Sequence, residues 1–236
     1  MPNAFLDRFS RTMIINLPDR YDRRQEIEAE LRQQGAAIDG ERISLFPAMR
    51  PETAGAFPSI GARGCFLSHL NLLKAARDSS VKTLLLLEDD AHFGRSFQRF
   101  HRVVLDALAT TEWDIFYAGH RALAELVPTG PVTRVPPDLS LLTAHAVGFR
   151  QPVIARAIPF LEAMLERPQG SPQGGPMHVD GAYNWMRRAH PAFRTFAATP
   201  QIITQRASQS DITPRTGWRA GSPIANVLRR LRNHLA

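Results

Sequence analysis

The sequence predicts an α/β domain, in which helices pack against a buried sheet. Two short apolar segments have the length of buried strands, TMIINL at 12–17 and VKTLLLL at 81–87. Each is ended by polar residues and is followed by a segment whose apolar residues recur at helical spacing. A strand that leads into a helix in this way is typical of α/β folds.

The remaining elements follow from periodicity and from residues that start or stop helices. Pro18 and Asp19 end the first strand. A helix is predicted from Asp22, a suitable cap, to about Gln34, with Gly35 ending it. Apolar spacing predicts further helices over 64–77, 97–108, 154–166 and 181–188, and a strand over 113–118. Prolines cluster in three predicted irregular segments, which are 41–60, 128–137 and, as a mobile loop, 167–176.

The composition is ordinary for a soluble globular protein. The chain of 236 residues is 44% hydrophobic and has no run of about 18 apolar residues, the length that a membrane span requires. A single cysteine, Cys65, excludes an internal disulfide and fits a reducing compartment, so a cytoplasmic location is expected. The net charge of +7 suits a phosphate-rich ligand or an anionic membrane surface. Because no zinc-finger spacing or RNA-binding signature accompanies that charge, nucleic acid is not an expected partner.

Three consecutive acidic residues, Glu88, Asp89 and Asp90, follow the second apolar strand directly. Ligands of open α/β sheets bind at the carboxyl ends of the strands. Adjacent carboxylates repel one another, and a cation that prefers oxygen ligands, Mn²⁺ or Mg²⁺, would relieve the repulsion. Because strand residues alternate sides, Glu88 and Asp90 are expected to point together and Asp89 away from them. The alternative is a solvated strand end, in which Asp90 caps the next turn.

Two motifs in succession, GCFLSH at 64–69 and LEDD at 87–90, resemble glycosyltransferase family 25. That family contains bacterial lipooligosaccharide galactosyltransferases and collagen galactosyltransferase domains. The resemblance runs from about Met13 to Ile212, and it departs from the family at 143–148, where relatives have an aromatic strand. Further segments that agree in the expected order are IINLPDRYDRR at 14–24, Asp180 before Trp185, Pro200, Gln205 and Ser210–Ile212.

The resemblance implies a fold and an activity. The fold is a single GT-A-like domain over 12–213, with a mixed central sheet and helices on both faces, followed by a basic amphipathic tail at 214–236. The activity is an inverting hexosyltransferase that moves a hexose, galactose being the commonest, from a nucleotide sugar such as UDP-galactose to a cell-surface glycan such as the lipooligosaccharide core. Asp90, with Glu88 and Asp89, would hold Mn²⁺ or Mg²⁺ as the family's DxD-like motif.

The resemblance also implies the remaining site residues. Asp180 would be the base that takes the proton of the acceptor hydroxyl. The alternatives are a helix cap for Asp180, a packing role for His69 and a solvated side chain for Arg20. Residues expected to bind or frame the donor are Asn16, Leu17, Arg20, Ser68, His69, Glu88, Asp89, Gln205, Ser210 and Asp211.

Two other functions remain open. A metal-dependent sugar nucleotidyltransferase would also need carboxylates and a cation. It normally has a glycine-rich phosphate loop after the first strand, and INLPDRYDRR at 15–24 contains no glycine. From a different class, a catalytically inactive, membrane-associated module could bind sugar nucleotides, although the intact acidic triplet argues against it.

The sequence of the tail at 214–236 predicts an amphipathic helix. Ser222 is a suitable N-cap and Pro223 suits the first helical position. The helix would lie on the inner face of the cytoplasmic membrane, close to a lipid-linked saccharide acceptor. The alternative is that it packs on the protein itself or on a second subunit. Its apolar stripe consists of Ile224, Val227, Leu228, Leu231 and Leu235, flanked by Arg229, Arg230 and Arg232.

Overall fold

The computed structural model describes residues 4–206 as a seven-stranded sheet, a separate two-stranded ribbon and five α-helices. The strands are β1 (Arg11–Asn16), β2 (Ile43–Pro47), β3 (Thr83–Glu88), β4 (Ala91–His92), β5 (Ile115–Ala122), β6 (Val132–Arg134), β7 (Leu141–Arg150), β8 (Thr195–Ala198) and β9 (Thr204–Gln205). The helices are α1 (Tyr21–Gln33), α2 (Ile60–Asp78), α3 (Arg95–Thr110), α4 (Gln151–Leu165) and α5 (Val179–Ala189). Within this part of the chain, no helix is long and apolar enough to cross a membrane.

The main sheet is mixed, with strand order β2-β1-β3-β7-β5-β8-β6. β1 is parallel to both of its neighbours, β2 and β3. β7 is antiparallel to β3 and β5, whereas β5 and β8 are parallel and β6 is antiparallel to β8. β4 and β9 form the separate ribbon. The prediction of a mixed central sheet is therefore confirmed.

Alternation along the central strands sends neighbouring side chains to opposite faces of the sheet. Met13 and Ile15 of β1 pack in one core with α2, α4 and α5, whereas Ile14 packs in the other core with α1 and α3. The leucines at 84–87 in β3 alternate in the same way and are completely buried. Since each contributes about 2 kcal/mol by burial, β3 is a firmly held element. Helices cover both faces, as predicted.

The fold brings three strand ends to one edge of the sheet. In the register of the parallel strands, Ile15 lies opposite Glu88, and Asn16 lies opposite Pro47. The chain therefore leaves β1, β2 and β3 at the same level, and the acidic triplet begins there. Helix α2 starts beside this edge, where the Ser59 hydroxyl accepts a hydrogen bond from the backbone of the first turn.

The predictions for all three proline-rich segments were wrong in part. Strands β2 and β6 lie within 41–60 and 128–137, which were expected to be irregular. The segment 167–176 was expected not to pack, but Gly174, Gly175 and Pro176 are buried. Gly174 has φ +82°, and an added Cβ would lie 3.3 Å from the Trp185 ring, so only glycine lets the backbone approach this side chain. The predicted C-terminal helix, and the boundary between 213 and 214, lie outside the described residues.

Candidate active site

A cavity of about 460 Å³ opens where β1, β2 and β3 end. All three residues of the acidic triplet line it, together with Ser68 and His69 of α2. The structure therefore brings these five residues together at one cavity. The rest of the wall is formed by Ile15, Leu17, Arg23, Ala48, Met49, Arg50, Pro51, Ile60, Gly61, Gly64, Cys65 and Gln205.

Both carboxylate oxygens of Asp89 are engaged by protein groups. Its Oδ2 accepts a hydrogen bond from Asn16 Nδ2 at 2.7 Å, and its Oδ1 accepts one from Arg23 Nη1 at 2.8 Å. The residue is 5% exposed. Both oxygens are thus used to join the end of β3 to the end of β1 and to α1. Asn16 therefore reaches the site through Asp89 and is not itself part of the cavity wall.

Glu88 is held by a buried histidine. Its Oε1 lies 3.3 Å from Nε2 of His69, whose Nδ1 lies 3.0 Å from the hydroxyl of Tyr183. Burial raises the pKa of Glu88, but the hydrogen bond and charge of His69 more than offset burial and hold that pKa below its ordinary value. Glu88 is therefore an anion at neutral pH.

Asp90 has an oxygen with no hydrogen-bond partner in the described part of the chain. Its Oδ1 is buried and accepts no hydrogen bond from any described residue. Burial, together with the charge of Glu88, raises the pKa of Asp90 to about 7. An unpaired buried carboxylate oxygen beside a second carboxylate is the kind of surrounding that a hard cation such as Mn²⁺ or Mg²⁺ stabilises. The residues present therefore fit the metal that the sequence predicted.

Cys65 also approaches this cluster. Its Sγ, a ring nitrogen of His69 and a carboxylate oxygen of Glu88 lie within 4.8 Å of one another. Burial and the neighbouring charge of Glu88 raise the pKa of the Cys65 thiol well above its ordinary value, so the thiol stays protonated. A protonated thiol is a poor metal ligand, and the carboxylates of Glu88 and Asp90 remain the better donors for a hard cation.

Residues of the GCFLSH motif hold α2 against the segment that follows β2, and both form part of the cavity wall. The Ser68 hydroxyl donates to the carbonyl of Gly64 at 2.6 Å and accepts from the backbone N–H of Met49 at 2.7 Å. A Cβ added at Gly64 would lie 2.7 Å from the Met49 carbonyl oxygen, so glycine is needed for this close approach. Ser68 thus fixes the segment that follows β2, which agrees with a framing role at the cavity.

Residues 9–125 match the family model described as Glycosyltransferase family 25 (LPS biosynthesis protein). This region belongs to glycosyltransferase family 25. The match contains both motifs from which the family was predicted, GCFLSH at 64–69 and LEDD at 87–90. It also contains Asn16 and Arg23, which hold Asp89 in place. The prediction of the family is confirmed.

Among the similar proteins, one is named as a galactosyltransferase and another is named as inactive. Procollagen galactosyltransferase 1-B of Xenopus laevis is 28% identical over 145 residues, covering 54% of this chain and 24% of the relative. Inactive glycosyltransferase 25 family member 3 of Homo sapiens is 27% identical over 131 residues, covering 48% of this chain and 22% of the relative. The chain thus spans less than a quarter of the length of these relatives. A solved glycosyltransferase involved in glycosylation of the major capsid of PBCV-1 aligns with TM-score 0.48 and 10% identity, over 84% of this chain and 93% of that chain.

Beyond the family 25 region, β9 closes one side of the cavity. Gln205, a predicted donor-binding residue, lines the cavity, and the next residue, Arg206, was not predicted. The Arg206 backbone N–H donates to the carbonyl of Asp90 at 2.8 Å, and its guanidinium contacts the carbonyl of Asp89. The guanidinium also lies 3.3 Å from a carboxylate oxygen of Glu26. No sequence motif distinguished this arginine from its many counterparts. Ser210 and Asp211 lie outside the described residues.

Asp180 and Arg20 are not part of the cavity wall. The N-cap of α5 is His178, so Asp180 is not the cap. Asp180 lies in the first turn, where Oδ1 accepts from the Gly181 N–H at 2.8 Å and Oδ2 accepts from the Thr143 N–H at 3.0 Å. Arg20 pairs with Asp22 through Nε at 2.9 Å. The catalytic role of Asp180 and the donor contact of Arg20 remain predictions.

Proposed function

We propose that this protein is an inverting glycosyltransferase that uses a nucleotide sugar, with UDP-galactose as the donor and a cell-surface glycan as the acceptor. The main support is Oδ1 of Asp90, which has no hydrogen-bond partner among residues 4–206 and lies near Glu88 at the end of β3 in the family 25 region. Two carboxylates in a cavity suit a cation that in turn binds a diphosphate. Names of relatives, such as procollagen galactosyltransferase, support the choice of galactose.

Glu88 and Asp90 would hold Mn²⁺ or Mg²⁺. When bound, that cation would stabilise the negative charge of the departing nucleoside diphosphate. Asp89 holds the turn between these two residues by its contacts with Asn16 and Arg23. The carboxylate pair is thereby fixed before any ligand arrives, which reduces the ordering that binding requires.

The proposed reaction is a single displacement. An acceptor hydroxyl oxygen forms a bond to the anomeric carbon as the bond between that carbon and the donor phosphate oxygen breaks. The hydroxyl proton passes to a carboxylate, which we assign to Asp180. The charge of Asp180 contributes to the raised pKa of Cys65, a residue of the cavity wall, so Asp180 lies within electrostatic reach of the site. The products are the inverted glycoside, the nucleoside diphosphate and a protonated base.

The acceptor is proposed to be a glycan or lipid-linked saccharide at the inner face of the cytoplasmic membrane. The support is the sequence of the tail, in which apolar residues recur at helical spacing and Arg229, Arg230 and Arg232 supply positive charge. A cytoplasmic enzyme that rests on an anionic surface would meet such an acceptor without crossing the bilayer.

The test is hydrolysis of nucleotide sugars by the purified chain in the presence of Mn²⁺. Wild type is expected to release nucleoside diphosphate from one member of a panel, and Asp90→Ala roughly a thousandfold more slowly. Asp78→Ala is a matched control, because this exposed carboxylate lies at the far end of α2. Activity that is unchanged in EDTA, or equal in the two variants, would contradict the metal assignment.

The second candidate is a sugar-nucleotide-binding module without catalysis, which the name of the inactive human relative favours. Thermal-shift measurements separate the two functions, because a ligand that binds the folded state raises its stability whether or not it reacts. Stabilisation by a nucleotide sugar with Mn²⁺, but no release of nucleoside diphosphate with any acceptor extract, would establish the binding module.

A further inference from the structure

Three side chains from three elements form a buried line that ends at the cavity. Tyr183 of α5 and His69 of α2 are both 0% exposed. The tyrosine hydroxyl lies 3.0 Å from Nδ1 of His69, and Nε2 of the same ring lies 3.3 Å from Oε1 of Glu88. The tyrosine is 114 residues from His69 in the sequence and lies outside the family 25 region at 9–125.

The direction of these hydrogen bonds can be assigned from the donors and acceptors. A carboxylate oxygen of Glu88 faces Nε2 of His69 at 3.3 Å, and carboxylates accept hydrogen bonds, so Nε2 of His69 bears the hydrogen. Among described residues, the Tyr183 hydroxyl has one hydrogen-bond partner, which is Nδ1 of His69. If both ring nitrogens bore hydrogens, the buried hydroxyl hydrogen would have no acceptor, which costs free energy. The neutral tautomer with hydrogen on Nε2 satisfies all three groups.

We infer that Tyr183 is a positioning residue of the active site, because its hydroxyl sets the tautomer of His69 and thereby the orientation of the Glu88 carboxylate. This inference rests on the proposed function, in which Glu88 and Asp90 hold the cation. The second oxygen of Glu88 accepts no hydrogen bond from a described residue and is left for that cation. Without the hydroxyl, the tautomer that presents a bare Nε2 to the Glu88 anion becomes accessible and repels it.

The ring of Tyr183 has a separate role, which the test must leave intact. It packs on Phe149 with ring centroids 5.3 Å apart and on His69 with centroids 5.8 Å apart. Tyr183→Phe keeps this packing and removes only the hydroxyl. Tyr117→Phe is the matched control, because Tyr117 belongs to the same core and is 2% exposed, and it is not part of the cavity wall.

The first measurement is the tautomer of His69 by ¹⁵N NMR of the full chain, with the resonance assigned by its loss in His69→Gln. Wild type is expected to show hydrogen on Nε2 alone, and Tyr183→Phe to show a mixture of tautomers. Hydrogen on Nδ1, or on both nitrogens, in wild type would overturn the inference. The wild-type result needs neither turnover nor a folded Tyr183→Phe variant, so it is independent of the proposed function.

The second measurement is binding of Mn²⁺ alone, followed by the electron paramagnetic resonance of the free ion. Tyr183→Phe is expected to weaken binding by about 10- to 100-fold, the usual effect of removing a group that orients a metal ligand. Tyr117→Phe is expected to bind as wild type does. Equal weakening in the two variants would show that a buried hydroxyl merely supports the fold, and it would overturn the inference. If Mn²⁺ binding responds as expected but no nucleotide sugar is consumed, only the proposed function fails.

Discussion

Arg23 and Asp89 form an ion pair, with Nη1 2.8 Å from Oδ1, that joins the first helix to the end of the third strand. The two side chains are only 12% and 8% exposed. The pair lies within the wall of the cavity, where it occupies one oxygen of Asp89, and Asn16 occupies the other. Both oxygens of Asp89 are thereby engaged by protein groups, whereas Oδ1 of Asp90 has no hydrogen-bond partner among the described residues.

Asp89→Ala is expected to destabilise the protein by about 3 kcal/mol, because it leaves the guanidinium of Arg23 and the amide of Asn16 without their carboxylate. Chemical unfolding of the purified variant measures the effect. The control is Asp22→Ala, which breaks a pair in which the aspartate is 62% exposed and should cost no more than about 0.5 kcal/mol. A loss of stability in Asp89→Ala no greater than in the control would mean that the pair contributes little.

Asp90→Asn is expected to change how stability depends on pH. Burial and Glu88 raise the pKa of Asp90 from 3.8 to about 7, so between these values the metal-free folded state keeps a proton that the unfolded chain releases. The stability of metal-free wild type attributable to Asp90 is therefore full below about pH 4 and is lost as the pH rises through 7. The asparagine variant cannot ionise and should lack this loss. Melting curves in EDTA across this range test the prediction, and parallel curves for the two proteins would contradict it.

The central strands and the triplet were predictable because their signals are local. Each is a short apolar run with a polar end, and burial of that run fixes which strand ends meet. The hydrogen bonding that distinguishes Asp89 from Asp90 could not be predicted. It depends on Arg23, which is 66 residues from Asp89 along the chain. The contact of Tyr183 with His69 could not be predicted for the same reason, because α5 comes close to His69 only in the folded protein.

Strand β7 shows why other elements were missed. It carries histidine and glycine in place of a run of branched residues, and Thr143 within it has φ +67°. Buried residues follow one another from Ala144 to Phe149, so the alternation that identifies a half-exposed strand is absent. β2 is only five residues long and ends in Pro47, which made it resemble a loop. Tertiary pairing overrides weak local preference at both places.

Asp180→Asn is expected to lower turnover by about 100-fold or more if Asp180 is the base, while binding of the nucleotide sugar stays the same. The competing explanation is that Asp180 only holds the backbone of Thr143, whose left-handed conformation is costly for a branched residue. Thr143→Gly removes that strain and should restore stability in the double variant without restoring turnover. Near-normal turnover in Asp180→Asn would remove Asp180 from the mechanism.

Binding of the full chain to liposomes tests the predicted role of the tail. Co-sedimentation is expected to rise with the fraction of anionic lipid and to fall with salt, because each arginine near such a surface adds about 1 kcal/mol that salt screens. Deletion of 222–236 should abolish it. A full-length protein that does not bind anionic liposomes at low salt would exclude the membrane surface as a partner of the tail.

Arg206→Ala is expected to weaken donor binding more than it slows turnover. The guanidinium holds β9 against the backbone of Asp89, and it lies 3.6 Å from Glu30, whose carboxylate also accepts from His92 at 2.8 Å. Its loss should lower the Tm by about 5 °C, since a nearly buried pair worth about 2 kcal/mol is broken. Because Gln205 then loses its anchor at the cavity wall, the KM for the nucleotide sugar should rise about tenfold, equivalent to about 1.4 kcal/mol.

The control for Arg206→Ala is Arg194→Ala, which breaks the contacts of Arg194 with Asp114 and Glu112 away from the cavity. This variant should also lower the Tm, yet leave the KM for the donor unchanged. Steady-state kinetics with a varied donor, at a temperature where both variants are folded, separate the two effects. If both variants raise the KM equally, general loss of stability explains the change. A rise confined to Arg206→Ala would mean that the anchored β9 segment forms one wall of the donor site, because only this arginine joins that strand to the acidic triplet among the residues that the structure describes.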